Sequence, residues 1–319
     1  MNASAMDAVS LFTLSLQAPN HLCWMLVAPV GVVTNLCIAV TILSSKSLHM
    51  KSQFLIVSHS IGEILSCLAY FATGLVRYLA YVSSHPKTST QSMCMLKQMP
   101  LTLMNNVVRF LTIALAVDRC LCIVLPIFYQ NRPTFGYILF LNLFCWGISI
   151  GKNAFAFLEY DPQQIVPVCS ALTSFGPKFS NFCAIEGYIL TGITSLVYVA
   201  AASALFKRYK SKKLVGESQR TEWRRQMDFS VFVAMSTVGV IYMLTYGVVT
   251  ALNAVATTKF TLEAVVKLSP VCSLILLSSA ISHLFIYFSV NRSFRAAFLK
   301  ICCRRDENAV AAIPGHNVK

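Results

Sequence analysis

The chain is 319 residues long, 56% hydrophobic and only 12% charged, against about 25% charged in an ordinary soluble domain. A mean hydropathy of +0.65 excludes a water-soluble globule and points to a membrane protein. The formal net charge of +14 raises nucleic acid as a partner, but the bases lie where membrane topology demands them, so no nucleic acid is expected.

Apolar stretches of about 20 residues, enough to cross a hydrocarbon core of about 30 Å, recur seven times. They run over Leu22–Leu43, Phe54–Leu75, Met99–Val124, Phe135–Phe157, Asn181–Phe206, Phe229–Val255 and Lys267–Val290. They share no internal motif and are apolar on all faces, which sets soluble repeats aside. With the N-terminus outside, 18 of the 26 Lys and Arg residues fall on the cytoplasmic side, including Lys46, Lys51, Arg119, Arg132, the run from Lys207 to Arg225, and Arg292 to Lys319. Seven fall on the outer side and Arg109 lies mid-span. The bias follows the positive-inside rule and the attraction of bases to an anionic inner leaflet.

In chain order, the first 20 residues hold one charge, Asp7, and no basic stretch ahead of an apolar one. No cleavable signal is therefore expected, and the first span acts as its own anchor. Asn2-Ala3-Ser4 fits the N-glycosylation pattern and lies outside in this topology; Asn291-Arg292-Ser293 also fits but would be cytoplasmic. Asn35 is a lone amide at membrane depth and needs a partner on a neighbouring helix. Glu63, near the middle of the second span, must be accompanied by a cation, a base or a proton.

The third span opens near Cys94, holds Pro100 and Arg109, and closes on Asp118-Arg119 before the turn Pro126-Ile127-Phe128-Tyr129. An ionisable pair at a membrane boundary marks a functional site, set against the plainer reading that Arg119 snorkels to the headgroups. Arg109 keeps its proton, so it calls for a carboxylate: Glu186 first, by depth in the fifth span, and Glu63 second. A buried pair that only sets helix register is an equally good reading of that match.

Most of the twelve cysteines sit in apolar runs as small, soft hydrophobes. Cys94 at the outer mouth of the third span and Cys169 in the following outer loop suit one disulfide, with Cys183 as the competing partner. That loop, Leu158 to Ser180, carries Pro162, Pro167 and Pro177, which argue against a helix in it. The fifth span holds Tyr198 and runs into the bases from Lys207, interleaved with Glu217 and Glu222, either a solvated charge run or a docking surface for a cytosolic partner. The sixth contains Gly239, Tyr242, Tyr246 and Gly247; the seventh carries Pro270, Ser278, Ser279, Ser282 and His283 ahead of Tyr287. From Asn291 to Cys303 bases and aromatics alternate at helical spacing, as in an amphipathic helix on the inner leaflet, with Cys302 and Cys303 placed for palmitoylation. No metal-spaced His/Glu cluster and no nucleophile with a positioned base is evident, so neither an enzyme nor a bound cofactor or metal is expected.

From His21 to Cys303 the chain resembles the rhodopsin-like G-protein-coupled receptors. Asp118-Arg119-Cys120 stands where that family has Asp-Arg-Tyr, and Cys94 precedes Arg119 by 25 residues, the family's interval to its outer disulfide cysteine. Asn35, Glu63 (for an aspartate), Trp146, Tyr198 and Tyr287 fall at family markers, and Asn291 to Phe298 is similar to its eighth helix. The departures are specific: His283-Leu284 replaces Asn-Pro, the sixth span lacks Cys-Trp-x-Pro, and Leu190 replaces the proline of the fifth. The pattern is most similar to the nematode serpentine chemoreceptors of class sx.

The resemblance implies an all-α membrane protein, a seven-transmembrane helix bundle with a short amphipathic eighth helix. Residues 1–20 would be an extracellular segment, 21–303 the receptor domain with that eighth helix, and 304–319 a disordered cytoplasmic tail. It implies a multi-pass plasma-membrane receptor, N-terminus extracellular and C-terminus cytoplasmic, in sensory cilia if chemosensory. Such a receptor binds an extracellular small molecule or peptide and activates a heterotrimeric G protein. Arg119 would be held by Asp118 and Asp228 until the sixth span swings outward and frees it, with Tyr198 and Tyr287, to meet the G protein, Arg132 adding charge to the contact. Leu101, Asn105, Glu186, Tyr246 and Lys267 are the expected pocket, and Leu101, where amine receptors place an aspartate, argues against a biogenic amine. Asn35, Glu63, Arg109 and His283 form the expected core polar network. Glu63 and His283 replace two sodium-pocket residues, and if they face each other their protonation is coupled. Two rival readings are a peptide-receptor-like protein without a sensory role and a transporter using Glu63, Arg109, Glu186 and His283. Against the transporter, no inverted repeats are evident.

Overall fold

The computed structural model describes residues 3–49, 51–83, 89–131, 133–159, 161–166, 169, 174–175, 177–212, separate positions from 233 to 251, and 262–303. Without water, a backbone must satisfy its own polar groups, and a helix does so within one segment. The long helices are accordingly Ala3–Ser44, Lys51–Val82, Gln91–Val124, Thr134–Phe155, Pro177–Lys212 and Leu262–Val290, matching the first five expected spans and the seventh. The described positions between Val233 and Ala251, where the sixth is expected, are all helical. Five of the described helices are long and apolar enough to cross a membrane. Pro126–Asn131 forms a short helix after the third span, and Arg292–Cys303 closes the described fold.

The third helix is the hub. It packs on the second, fourth and fifth, while the first packs on the second and seventh. Outward faces are apolar, contrary to a soluble bundle: Leu22, Leu26, Val30, Val33, Leu36, Val40 and Leu43 are exposed at steps of three or four along the first helix. Phe140, Leu143 and Phe144 do the same on the fourth, and Ile189, Ile193, Leu196 and Val199 on the fifth. Polar side chains are turned inward, where a bundle in lipid can pair them.

Close approach of the first two helices depends on Gly31, because a Cβ there would stand 2.6 Å from the Cys67 sulfur. Asn35 ties the first helix to the seventh: its Nδ2 donates to the Gly31 carbonyl at 2.9 Å and to the Ala280 carbonyl at 3.1 Å. The partner expected for this amide is thus a backbone group across the interface.

Three features add to the sequence reading or depart from it. The first helix begins at Ala3 and runs through Pro19 into the first span, a helical extension that the sequence reading did not place. Pro177, counted against helix, opens the fifth one; in the first turn a proline has no intrahelical N–H to forfeit. Strand Ser89–Thr90 pairs antiparallel with Ile165–Val166, a two-residue ribbon that the sequence reading did not place and that leaves the bundle all-α. The eighth helix forms as expected, capped by Asn291, whose Oδ1 accepts from the Phe294 N–H at 3.1 Å.

Candidate functional site

At the end of the third helix, Asp118 is wholly buried and Arg119 nearly so, at 0% and 5% exposure. Arg119 Nε donates to Asp118 Oδ2 at 3.0 Å, and an Nη of Arg119 makes a second bond to the same oxygen. The Tyr129 hydroxyl accepts from Arg119 at 3.4 Å, so the turn after the third helix closes over the pair. Burial, and then the Asp118 charge, push the Tyr129 phenol well above its ordinary pKa, so it stays protonated. An arginine that only snorkelled would reach into the headgroups; this one is folded back onto a carboxylate inside the bundle.

Tyr198 and Tyr287 are buried at the same end. The Tyr198 ring occupies the space over Gly239, where any Cβ would overlap it. Tyr287 leans on Phe294 of the eighth helix, ring centroids 5.8 Å apart, and Phe294 stacks with Phe298 at 6.2 Å. The eighth helix is therefore packed on the end of the seventh. Asp228 and Arg132 lie outside the described residues.

At the opposite end Cys94 and Cys169 form a disulfide, and Cys183 stays a free thiol near Phe175 and Phe179. Arg77 donates to the Cys169 carbonyl at 2.6 Å. Gln91 holds the loop from two sides, donating to the Ser174 carbonyl at 3.2 Å and accepting from the Asp161 N–H at 3.0 Å. The disulfide closes a separation of 75 residues, so replacing both cysteines by serine is expected to cost about 4–5 kcal/mol. The check is the melting temperature of the purified protein, which should fall by several degrees, with surface expression falling alongside.

Between the ends lie two buried polar clusters. In one, Arg109 donates to Glu186 Oε2 at 3.1 Å and to the Glu186 carbonyl at 3.3 Å, as the depth argument expected. Lys152 joins them, 2.6 Å from the same carboxylate oxygen and 3.0 Å from Asn106 Oδ1. Third, fourth and fifth helices are pinned through one oxygen. In the other, His283 Nδ1 faces Glu63 Oε1 at 3.9 Å, with His59 alongside. No metal-spaced cluster was expected; the fold assembles one from two helices, and the clue on the second was the His59, Glu63 spacing of one helical turn.

Three of the five expected pocket residues, Leu101, Asn105 and Glu186, have described side chains, and each sits in its own surroundings. Asn105 accepts from Ser66 at 2.9 Å and donates to the Tyr70 hydroxyl at 3.1 Å, and with Glu63, Cys67 and Leu277 it lines a small cavity between second, third and seventh helices. Leu101 is buried in the apolar cluster that also holds Trp24 and Leu277, and Glu186 belongs to the Arg109 cluster. The Tyr246 position and the Lys267 side chain fall outside what the structure describes, as do Asn2 and the tail from 304. Cys302 is exposed at the end of the eighth helix. Lys152 and His59 were missed by the sequence reading.

The family description "Serpentine type 7TM GPCR chemoreceptor Srsx" matches residues 28–302, from within the first span to the end of the eighth helix. Comparison with curated proteins gives no match.

Proposed function

Because the chain belongs to the Srsx family of serpentine seven-transmembrane chemoreceptors, we propose that it is a plasma-membrane receptor whose extracellular ligand, a small molecule or peptide, activates a heterotrimeric G protein. The observation that carries this reading is the buried Asp118–Arg119 pair under Tyr129. A ligand shifts a two-state bundle only by its differential affinity for the two packings. The inactive packing holds Arg119 on Asp118; the active one releases it, with Tyr198 and Tyr287, to a G-protein helix.

The Cys94–Cys169 end faces outward in this reading and the Arg119 end inward. The ligand acts from the outer half, where Glu186, with 15% of its side chain exposed, is the most accessible member of the cluster tying third, fourth and fifth helices. A molecule that competes for Glu186 or Lys152 loosens that tie and so biases the bundle. Residues 1–20 are extracellular, Cys302 and Cys303 carry palmitate on the inner leaflet, and sensory cilia are the site of action.

Calcium imaging of cells expressing the chain against volatile, water-soluble and peptide ligands tests the proposal. A response present in wild type and lost in Arg119→Ala at equal surface expression supports it, and one that survives the substitution overturns it. Glycosylation of Asn2 on intact cells tests the orientation separately.

A further inference from the structure

His59, Glu63 and His283 offer ligand atoms that all lie within 4.8 Å of one another, and the residues are only 3%, 5% and 1% exposed. The two imidazoles come from different helices, their centroids 5.3 Å apart at 51°. An ordinary core histidine in a bundle is satisfied by hydrogen bonds. His283 is not, among the described residues: its Nδ1 stands 3.9 Å from the Glu63 carboxylate, beyond hydrogen-bond reach, and its buried Nε2 has no partner there. His59 is oriented from behind by Thr112, whose hydroxyl lies 3.0 Å from His59 Nε2 and donates to the Val108 carbonyl at 2.9 Å. A hydroxyl or carbonyl holding the far side of an imidazole is the usual support of a metal-ligating histidine.

We propose that His59, Glu63 and His283 form a transition-metal site, suited to Zn2+, that clamps the second helix to the seventh. Two imidazole nitrogens and one carboxylate are the donor set of zinc sites that keep a fourth position for water. A small cavity on the Cys94 side adjoins this set at Glu63, and its lining by Ser66, Tyr70 and Asn105 gives a fourth, water ligand polar neighbours. Nitrogen donors select such an ion over sodium, which prefers oxygen. Donor atoms bound to zinc at about 2.0–2.1 Å stand roughly 3.4 Å apart, so side-chain rotations of roughly 1 Å bring this set together. Tyr287 lies one turn beyond His283, so the clamp restrains the part of the seventh helix that leans on Phe294.

Binding is independent of the receptor reading, whereas its effect on signalling rests on it. The full chain is purified in nanodiscs, its free thiols are blocked with N-ethylmaleimide, it is stripped with chelator, and it is titrated with ZnCl2. Wild type should take up about one zinc per chain, with a melting temperature raised by several degrees. His283→Asn and His59→Asn should abolish both while melting as cooperatively as zinc-free wild type, and Thr112→Val should weaken zinc binding at least about tenfold. Equal zinc uptake by wild type and both histidine variants, no uptake by wild type, or a shift of the same size with NaCl alone would overturn the site. Should zinc bind as described yet leave basal G-protein activation unchanged, the site stands and the coupling reading loses support.

Discussion

Asp118→Asn is expected to raise ligand-independent G-protein activation about tenfold over wild type at equal surface expression. The substitution keeps the shape of the side chain and removes the charge that holds Arg119. A hydrogen bond between charged groups contributes about 1.5–3 kcal/mol more than none, and 1.4 kcal/mol is a factor of ten in a two-state population. The loss is felt because the pair is buried; at a solvated surface the same change would be worth under about 1 kcal/mol. Arg119→Ala should silence the receptor, but it also leaves Asp118 buried without its cation, a defect of about 3–5 kcal/mol that lowers expression for structural reasons alone. The double variant Asp118→Asn with Arg119→Ala separates the two effects. With neither charge left inside, it should reach the surface like wild type and still fail to signal in a GTPγS-binding assay. A double variant that signals would show that Arg119 is a register-setting residue only.

Depth along the membrane normal was legible in the sequence; azimuth around each helix was not. Hydropathy located the spans because a hydrocarbon core imposes a length, and depth alone paired Arg109 with Glu186. Lys152 sits at a comparable depth, but one helix position turns a side chain by about 100°, and only packing decides whether it faces the third helix or lipid. Only 9% of Lys152 is exposed, a burial its place in the sequence does not announce. The same limit hid His59: its spacing from Glu63 put both on one face, yet nothing local said that His283 of the seventh helix would meet that face. The disulfide was readable as two cysteines at an oxidising end, with Cys183 as rival, and the fold decided between them by placing Cys183 beside Phe175 and Phe179. Pro177 was misread because proline bars the helix interior but suits its first turn. The Ser89–Thr90 ribbon is too short for any alternating pattern to announce it.

Glu186→Gln is expected to all but abolish surface expression, whereas Lys152→Met should be tolerated. The asymmetry follows from counting charge around one oxygen: Lys152 Nζ at 2.6 Å and Arg109 Nη1 at 3.1 Å share Glu186 Oε2. Neutralising that carboxylate leaves two buried cations beside each other, each without the anion that offset its desolvation, at about 3–5 kcal/mol for one broken pair and more for two. Against a total stability of about 5–15 kcal/mol, that loss dominates. Lys152→Met leaves the Arg109–Glu186 pair intact and costs chiefly the Asn106 Oδ1 bond, about 1–3 kcal/mol. Combining the two should recover expression over Glu186→Gln alone, a coupling that a double-mutant cycle reads directly. Flow cytometry of an epitope-tagged chain and thermal melting in nanodiscs measure both. If Glu186→Gln is expressed as well as Lys152→Met, the cluster is solvated and holds nothing together. Lys152→Met then decides the second question, because it reaches the membrane: a receptor that is present but unresponsive places Lys152 in the ligand's path, and one that responds normally confines the cluster to binding third, fourth and fifth helices.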